Sequence, residues 1–163
     1  MDKKLVKAFN DQIKNELFSA YLYLSMAAWS ESKNLPGFAH WFRVQFKEEI
    51  SHGMKMFEFL VDRGERIILE AIPQPETEFS SALNVFDETL KHEKKVTALI
   101  HSLSELANKV GDHAGVVFLQ WFITEQVEEE KNASFIIETL KMIKPDSAAL
   151  IMLDRELAKR GGG

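Results

Sequence analysis

Apolar residues recur at helical spacing in four long stretches and one short one, and turn-forming residues separate them. Leu5, Phe9, Ile13, Leu17, Ala20, Leu24 and Ala27 form a stripe that predicts a first helix, α1, over about 2–32. Pro36 suits a first helical turn and opens α2, over about 36–63, with Phe38, Phe42, Phe46, Met56 and Leu60 on its stripe and Gly64 as its stop. Leu83, Phe86, Leu90, Ile100 and Leu103 place α3 over about 81–110. Gly111 and Asp112 end α3 and cap α4, over about 112–143, which carries Phe118, Leu119, Phe122, Ala133, Ile136 and Leu140. Lys144-Pro145 breaks that helix, and Asp146 or Ser147 caps a short α5 over about 146–159.

The connections fix the topology. Short turns make α1/α2 and α3/α4 antiparallel hairpins, whereas Gly64 to Ser80, with Pro73 and Pro75, has no helical period. Helices of about 28 residues are roughly 42 Å long, and about 17 extended residues reach up to about 60 Å. This segment can therefore run the length of the bundle and set α2 and α3 parallel. The expected fold is all-α: one domain over 1–163, a four-helix bundle with a long α2–α3 crossover and a short fifth helix.

Composition narrows the partners. The 45% hydrophobic content of 163 residues fills one core, and a net charge of -5 argues against nucleic-acid or anionic-membrane partners. With no cysteine, a metal site must use carboxylate, amide and imidazole groups. The N-terminus lacks a signal-like apolar run and no stretch is long enough to span a membrane, so a soluble, cytoplasmic protein is expected.

Each long helix also carries a ligand type within its apolar stripe: Glu16 in α1, Glu49 and His52 in α2, Glu93 in α3, Gln126 and Glu129 in α4. All lie within about two residues of their helix midpoints, so helices of equal length bring them to one height. A lone E-x-x-H on a charged helix is usually a surface coincidence and a lone mid-helix Glu is usually solvated; four interruptions at one height are neither. Ionised carboxylates cost several kcal/mol each to bury, so protonation or metal must compensate them. Two divalent cations would balance Glu16, Glu49, Glu93 and Glu129, and oxygen ligands with one imidazole suit iron or manganese.

Glu48, Glu125 and Glu128 sit one residue from these positions, either as an acidic helix surface or as a third metal position. Tyr23 and Trp121 fit as core fillers, or as redox-active rings that could supply electrons to oxygen. His40, His92, His101 and His113 lack partners at ligand spacing and read as surface or packing residues. Met26, Met54, Met56, Met142 and Met152 read as adaptable core rather than a haem site.

The chain resembles the bacterial and archaeal non-haem ferritins over essentially its full length. The resemblance rests on the segments from Glu16 to Leu24, Gly37 to Phe42, Glu48 to His52 and Trp121 to Glu130. It implies that Glu16, Glu49, His52, Glu93, Gln126 and Glu129 are ferroxidase ligands for two irons. It further implies that Glu48, Glu125 and Glu128 join Glu129 in a third iron site. A ferroxidase that oxidises Fe(II) with O2 or H2O2 is implied, as is a homo-oligomeric cage of 24 subunits with octahedral symmetry whose fourfold axes α5 lines.

Related families fit less well. Bacterioferritins have a second E-x-x-H where this chain has Gln126 and Glu129, and a haem-binding Met where it has Ile50, so no haem is expected. Rubrerythrins need cysteines, and mini-ferritins place iron between subunits and lack the fifth helix. Animal ferritins put threefold-channel acids where this chain has Val116 and Leu119, and mineral-nucleating acids where it has Ser51 and Met54. The alternative function is a di-iron oxygenase or peroxidase that forms no cage.

Overall fold

The computed structural model describes residues 1–161; Gly162 and Gly163, at the end of the expected domain, lie outside the described residues. Five helices follow one another: α1 Lys3–Ser32, α2 Pro36–Asp62, α3 Ala82–Lys109, α4 His113–Lys141 and α5 Ala148–Leu157. Asp2 accepts the Lys4 and Leu5 amides at the start of α1, Ser81 accepts the Asn84 amide at α3, and Asp112 accepts the Gly115 amide at α4. These caps satisfy amides that a helix leaves without internal partners. Gly111 adopts a left-handed φ of 71° in the turn before α4, where a side chain would be strained.

Two apolar clusters fill the bundle, and their membership gives the helix directions. One holds Tyr23 and Met26 from late α1, Phe38 and Phe42 from early α2, Phe86 from early α3 and Ile137 from late α4. The other holds Phe9 and Ile13 from early α1, Met56 and Leu60 from late α2, Ile100 from late α3 and Leu119 from early α4. Hence α1 and α2 are antiparallel, and α2 and α3 parallel. The segment joining these two is strapped along α1: the Ile68 amide donates to Asn10 Oδ1 (2.7 Å), Lys14 pairs with Glu70 (2.6 Å), and Ser25 donates to the Glu76 carbonyl (2.7 Å). Phe79 then meets Trp29 edge-on at 5.7 Å.

The short α5 docks on the start of α2. Leu157 joins the first cluster, and Asp154 Oδ1 accepts the Phe38 amide at 2.9 Å. That contact supplies a cap which α2's own N-cap residue, Leu35, lacks. No helix among the described residues is long and apolar enough to cross a membrane.

Several expected core positions are corrected. The buried stripe of α1 steps through 9, 13, 16, 20, 23, 27 and 30, so Leu24 lies about 100° past Tyr23 and is 39% exposed. Met26 and Met56 are buried, but Met54, Met142 and Met152 are exposed; Met142 caps the end of α4 and points away from the core. Trp121, 40% exposed, is not a core filler, whereas Tyr23 is fully buried.

Candidate metal centre

Between the two apolar clusters lies a buried polar layer. Glu16, Glu49, His52, Glu93, Gln126 and Glu129 are all 5% exposed or less, each on the stripe by which its helix faces the core. Glu16, Glu49 and His52 bring ligand atoms within 4.8 Å of one another, and His52, Glu125 and Glu129 form a second such group. His52 belongs to both: its Nδ1 is 3.5 Å from Glu49 Oε2, and its Nε2 is 4.0 Å from Glu125 Oε1. Glu93 joins from α3 by hydrogen bonds rather than through either group. Tyr23 Oη donates to Glu93 Oε1, and Gln126 Nε2 donates to Glu93 Oε2 at 3.1 Å. The Gln126 amide nitrogen also lies 3.2 Å from the Glu93 carbonyl and from Thr97 Oγ1.

Two residues that the pattern of ligand types passed over complete the layer. Gln12 Nε2 donates to Glu16 Oε1 at 2.8 Å. Gln45 Nε2 donates to Glu129 Oε2 at 2.7 Å and lies 3.4 Å from Glu49 Oε1. Each precedes a carboxylate of its own helix by four residues, and that spacing was the available signal.

The outlying acids divide. Glu125 is half-buried beside His52, Glu48 is half-buried and paired with Arg160 at 2.6 Å, and Glu128 is exposed on α4. Trp121 packs edge-on against His52 at 5.3 Å, with Lys55 Nζ 4.3 Å from its ring centre. His92 is a packing residue bonded to Ser19 Oγ at 2.8 Å. Leu119 is fully buried and so lines no surface channel.

Electrostatics show what the layer requires. Among the described residues no Lys or Arg pairs with Glu16, Glu49, Glu93 or Glu129. Burial, then the charge of Glu49, holds the Glu16 carboxyl well above its ordinary range. Burial, then the charges of Glu93 and Glu129, does the same to Glu49. Glu93 is raised by burial, and burial with the charge of Glu93 pushes Glu129 up to about 8. The Tyr23 phenol is held well above its usual value by burial and by Glu93, so it stays a proton donor. Without cations burial favours the protonated form of each of these acids; two divalent ions would take the place of protons and neutralise four carboxylates. Oxygen donors with one imidazole match Fe(II) in softness.

Comparison with known proteins gives the family and the fold. Residues 6–143 match the Ferritin family, a ferritin-like domain. A bacterial non-heme ferritin of Staphylococcus saprophyticus is 42% identical over 98% of this chain and 96% of its own length, and that of Staphylococcus aureus is 40% identical over the same shares. An open-pore ferritin of the hyperthermophilic archaeon Archaeoglobus fulgidus superposes with a TM-score of 0.97 at 47% identity, covering 99% of each chain. A closed form of the A. fulgidus ferritin made by mutagenesis gives 0.98 at the same identity, covering 100% of this chain and 99% of its own. Sequence, fold and the acidic layer thus converge, and the chain belongs to the ferritin family, among the bacterial and archaeal non-haem ferritins.

Proposed function

We propose that the chain is a ferroxidase subunit of an iron store. The observation that carries this reading is the layer of four buried carboxylates and one imidazole with no Lys or Arg paired to them among the described residues. Two Fe(II) ions are the substrate, taken by Glu16, Glu49, His52, Glu93 and Glu129. Gln126, whose amide donates toward Glu93, acts as an outer hydrogen-bonding group. Each iron gives one electron. Two electrons and two protons convert O2 to H2O2, or two of each convert H2O2 to two waters. Hydrolysis of Fe(III) then releases further protons. A neutral Gln in place of another anionic ligand holds the ferric product less firmly, which favours handing it on.

Glu48, Glu125 and Glu128, with Glu129, are the third iron position in this reading, on the α2/α4 side where Glu125 approaches His52. Tyr23, a buried phenol that donates to Glu93, is in this reading the redox-active ring beside the centre. Assembly into a homo-oligomer of 24 subunits is supported by family membership and by exposed apolar side chains such as Phe135, Val127, Ile151 and Met152.

The test is stopped-flow oxidation of Fe(II) added anaerobically to metal-free protein, with load stepped from two irons per chain to a large excess. Fast oxidation that stays soluble at high load is expected. Glu49→Ala should lose the fast phase, by about a hundredfold or more, while size exclusion still shows the assembled particle. Unchanged rates in that variant would sink the site assignment. A small oligomer that saturates near two or three irons per chain would favour a di-iron oxygenase or peroxidase instead.

A further inference from the structure

The chain beyond α5 returns to the α2 side of the metal centre. Arg160 Nη2 donates to Glu48 Oε2 at 2.6 Å, and Nη1 donates to Gln45 Oε1 at 2.9 Å and lies 3.4 Å from the Trp41 carbonyl. The guanidinium carbon sits 4.4 Å from the centre of the Trp41 ring, and the His40 ring holds the Arg160 carbonyl at 2.8 Å. Trp41, Gln45 and Glu48 are spaced i, i+4 and i+7, one stripe of α2, so a single planar cation spans three successive sites on one helix. The side chains of Arg160 and Glu48 are only 19% and 27% exposed, so solvent screens the pair incompletely. Through Gln45 the same contact reaches Glu129 and Glu49.

We propose that Arg160 is a built-in counter-ion that holds Glu48 and competes with a metal ion for it, so that the C-terminal segment keeps the third iron position weak. The inference rests on the reading of Glu48, Glu125, Glu128 and Glu129 as that position. A guanidinium keeps its charge at every physiological pH, so the competition is constant rather than switched. A cation arriving at Glu48 finds one carboxylate oxygen already bonded and a positive charge beside it. Iron passing this position is therefore retained less than at the two inner positions, as a route out of the centre requires.

The test is calorimetric titration of the metal-free, assembled protein with Zn(II), which binds oxygen and imidazole donors without redox chemistry. Wild type should show two tighter sites per chain and one weaker. Arg160→Met keeps an apolar stem on Trp41 but removes charge and donors. It should tighten the third site about three- to fivefold, the size expected for losing one partly shielded ion pair, and leave the first two within about twofold. Arg160→Lys, which keeps the charge, should remain near wild type. In a Glu48→Gln background, Arg160→Met should change nothing. A third site in Arg160→Met that is unchanged or weaker, or a response that persists in Glu48→Gln, overturns the proposal. Wild type binding fewer than two Zn(II) would overturn the two-metal reading itself. If Arg160→Met does not assemble, Arg160→Gln supplies the same neutral comparison with the same expected outcomes.

Discussion

At the residue scale the buried carboxylates are held by hydrogen bonds from Gln12, Gln45 and Gln126. Gln12 steadies the ionised form of Glu16, opposing the burial that favours its proton. Gln12→Leu fills the same space without the donor. Glu16 should then hold its proton more firmly, the pH at which Co(II) binds should move up by about half a unit to one unit, and affinity at pH 7 should fall about three- to tenfold. Visible absorbance of bound Co(II) against pH measures this, and an unmoved midpoint would show that Gln12 merely packs. The acids themselves were legible because a Glu inside an apolar stripe contradicts its surroundings. Gln12, Gln45 and Arg160 were not: a glutamine is at home on any helix surface, and Arg160 reaches Glu48 across 112 residues of chain. Trp121 and the outward methionines were misjudged for the converse reason, since an apolar side chain advertises burial whether or not its helix turns it inward.

At the element scale the pattern of apolar positions supplied five helices and the parallel α2–α3 pair, because a crossover without helical period had only one length of bundle to run along. It did not supply the seat of α5, which no periodicity encodes. That seat depends on Gly37: a Cβ there would lie 1.6 Å from the Asp154 carbonyl oxygen and 2.9 Å from its carboxyl carbon. The first of these is backbone and cannot swing aside. The start of α5 resolves a choice between two caps. Asp146 turns in the left-handed region at φ 56°, leaving Ser147 as N-cap, whereas the sequence left the choice between them open. Gly37→Ala should therefore push α5 off α2, forfeiting the Asp154 cap on Phe38 and the burial of Leu157, at a cost of about 1–3 kcal/mol. Limited proteolysis should cut between Lys144 and Arg160 faster in the variant, while helix content of the four long helices persists. Equal cleavage rates would mean that α5 has a second way to dock.

At the scale of the whole molecule, the acidic layer makes metal-free stability a function of pH. Glu129 titrates near 8 in the folded chain against an ordinary 4.5, and Glu16, Glu49 and Glu93 are displaced in the same direction. Between these values the folded state holds protons that the unfolded state has released, so stability is fully present below about 4.5 and is lost as pH rises through about 8. His92 acts the other way. Burial and Lys95 lower it to about 4 from 6.5, so its contribution grows as pH rises through that interval and offsets part of the acids' effect there. Above pH 6.5 only the acids remain, so the unfolding free energy of the metal-free protein should fall from pH 6.5 to 8, by at most about 1.4 kcal/mol per pH unit for each acid titrating, and its melting temperature should fall with it. Zn(II)-loaded protein should not share that fall: the ions have displaced the protons, and it should lose stability on acidification instead, as protons displace the ions. Scanning calorimetry of the two forms at pH 6.5, 7.2 and 8 compares them directly. A metal-free protein that gains stability over this interval would mean that the four carboxylates are already ionised in the fold, with a compensating charge supplied by the assembled particle rather than by bound cations.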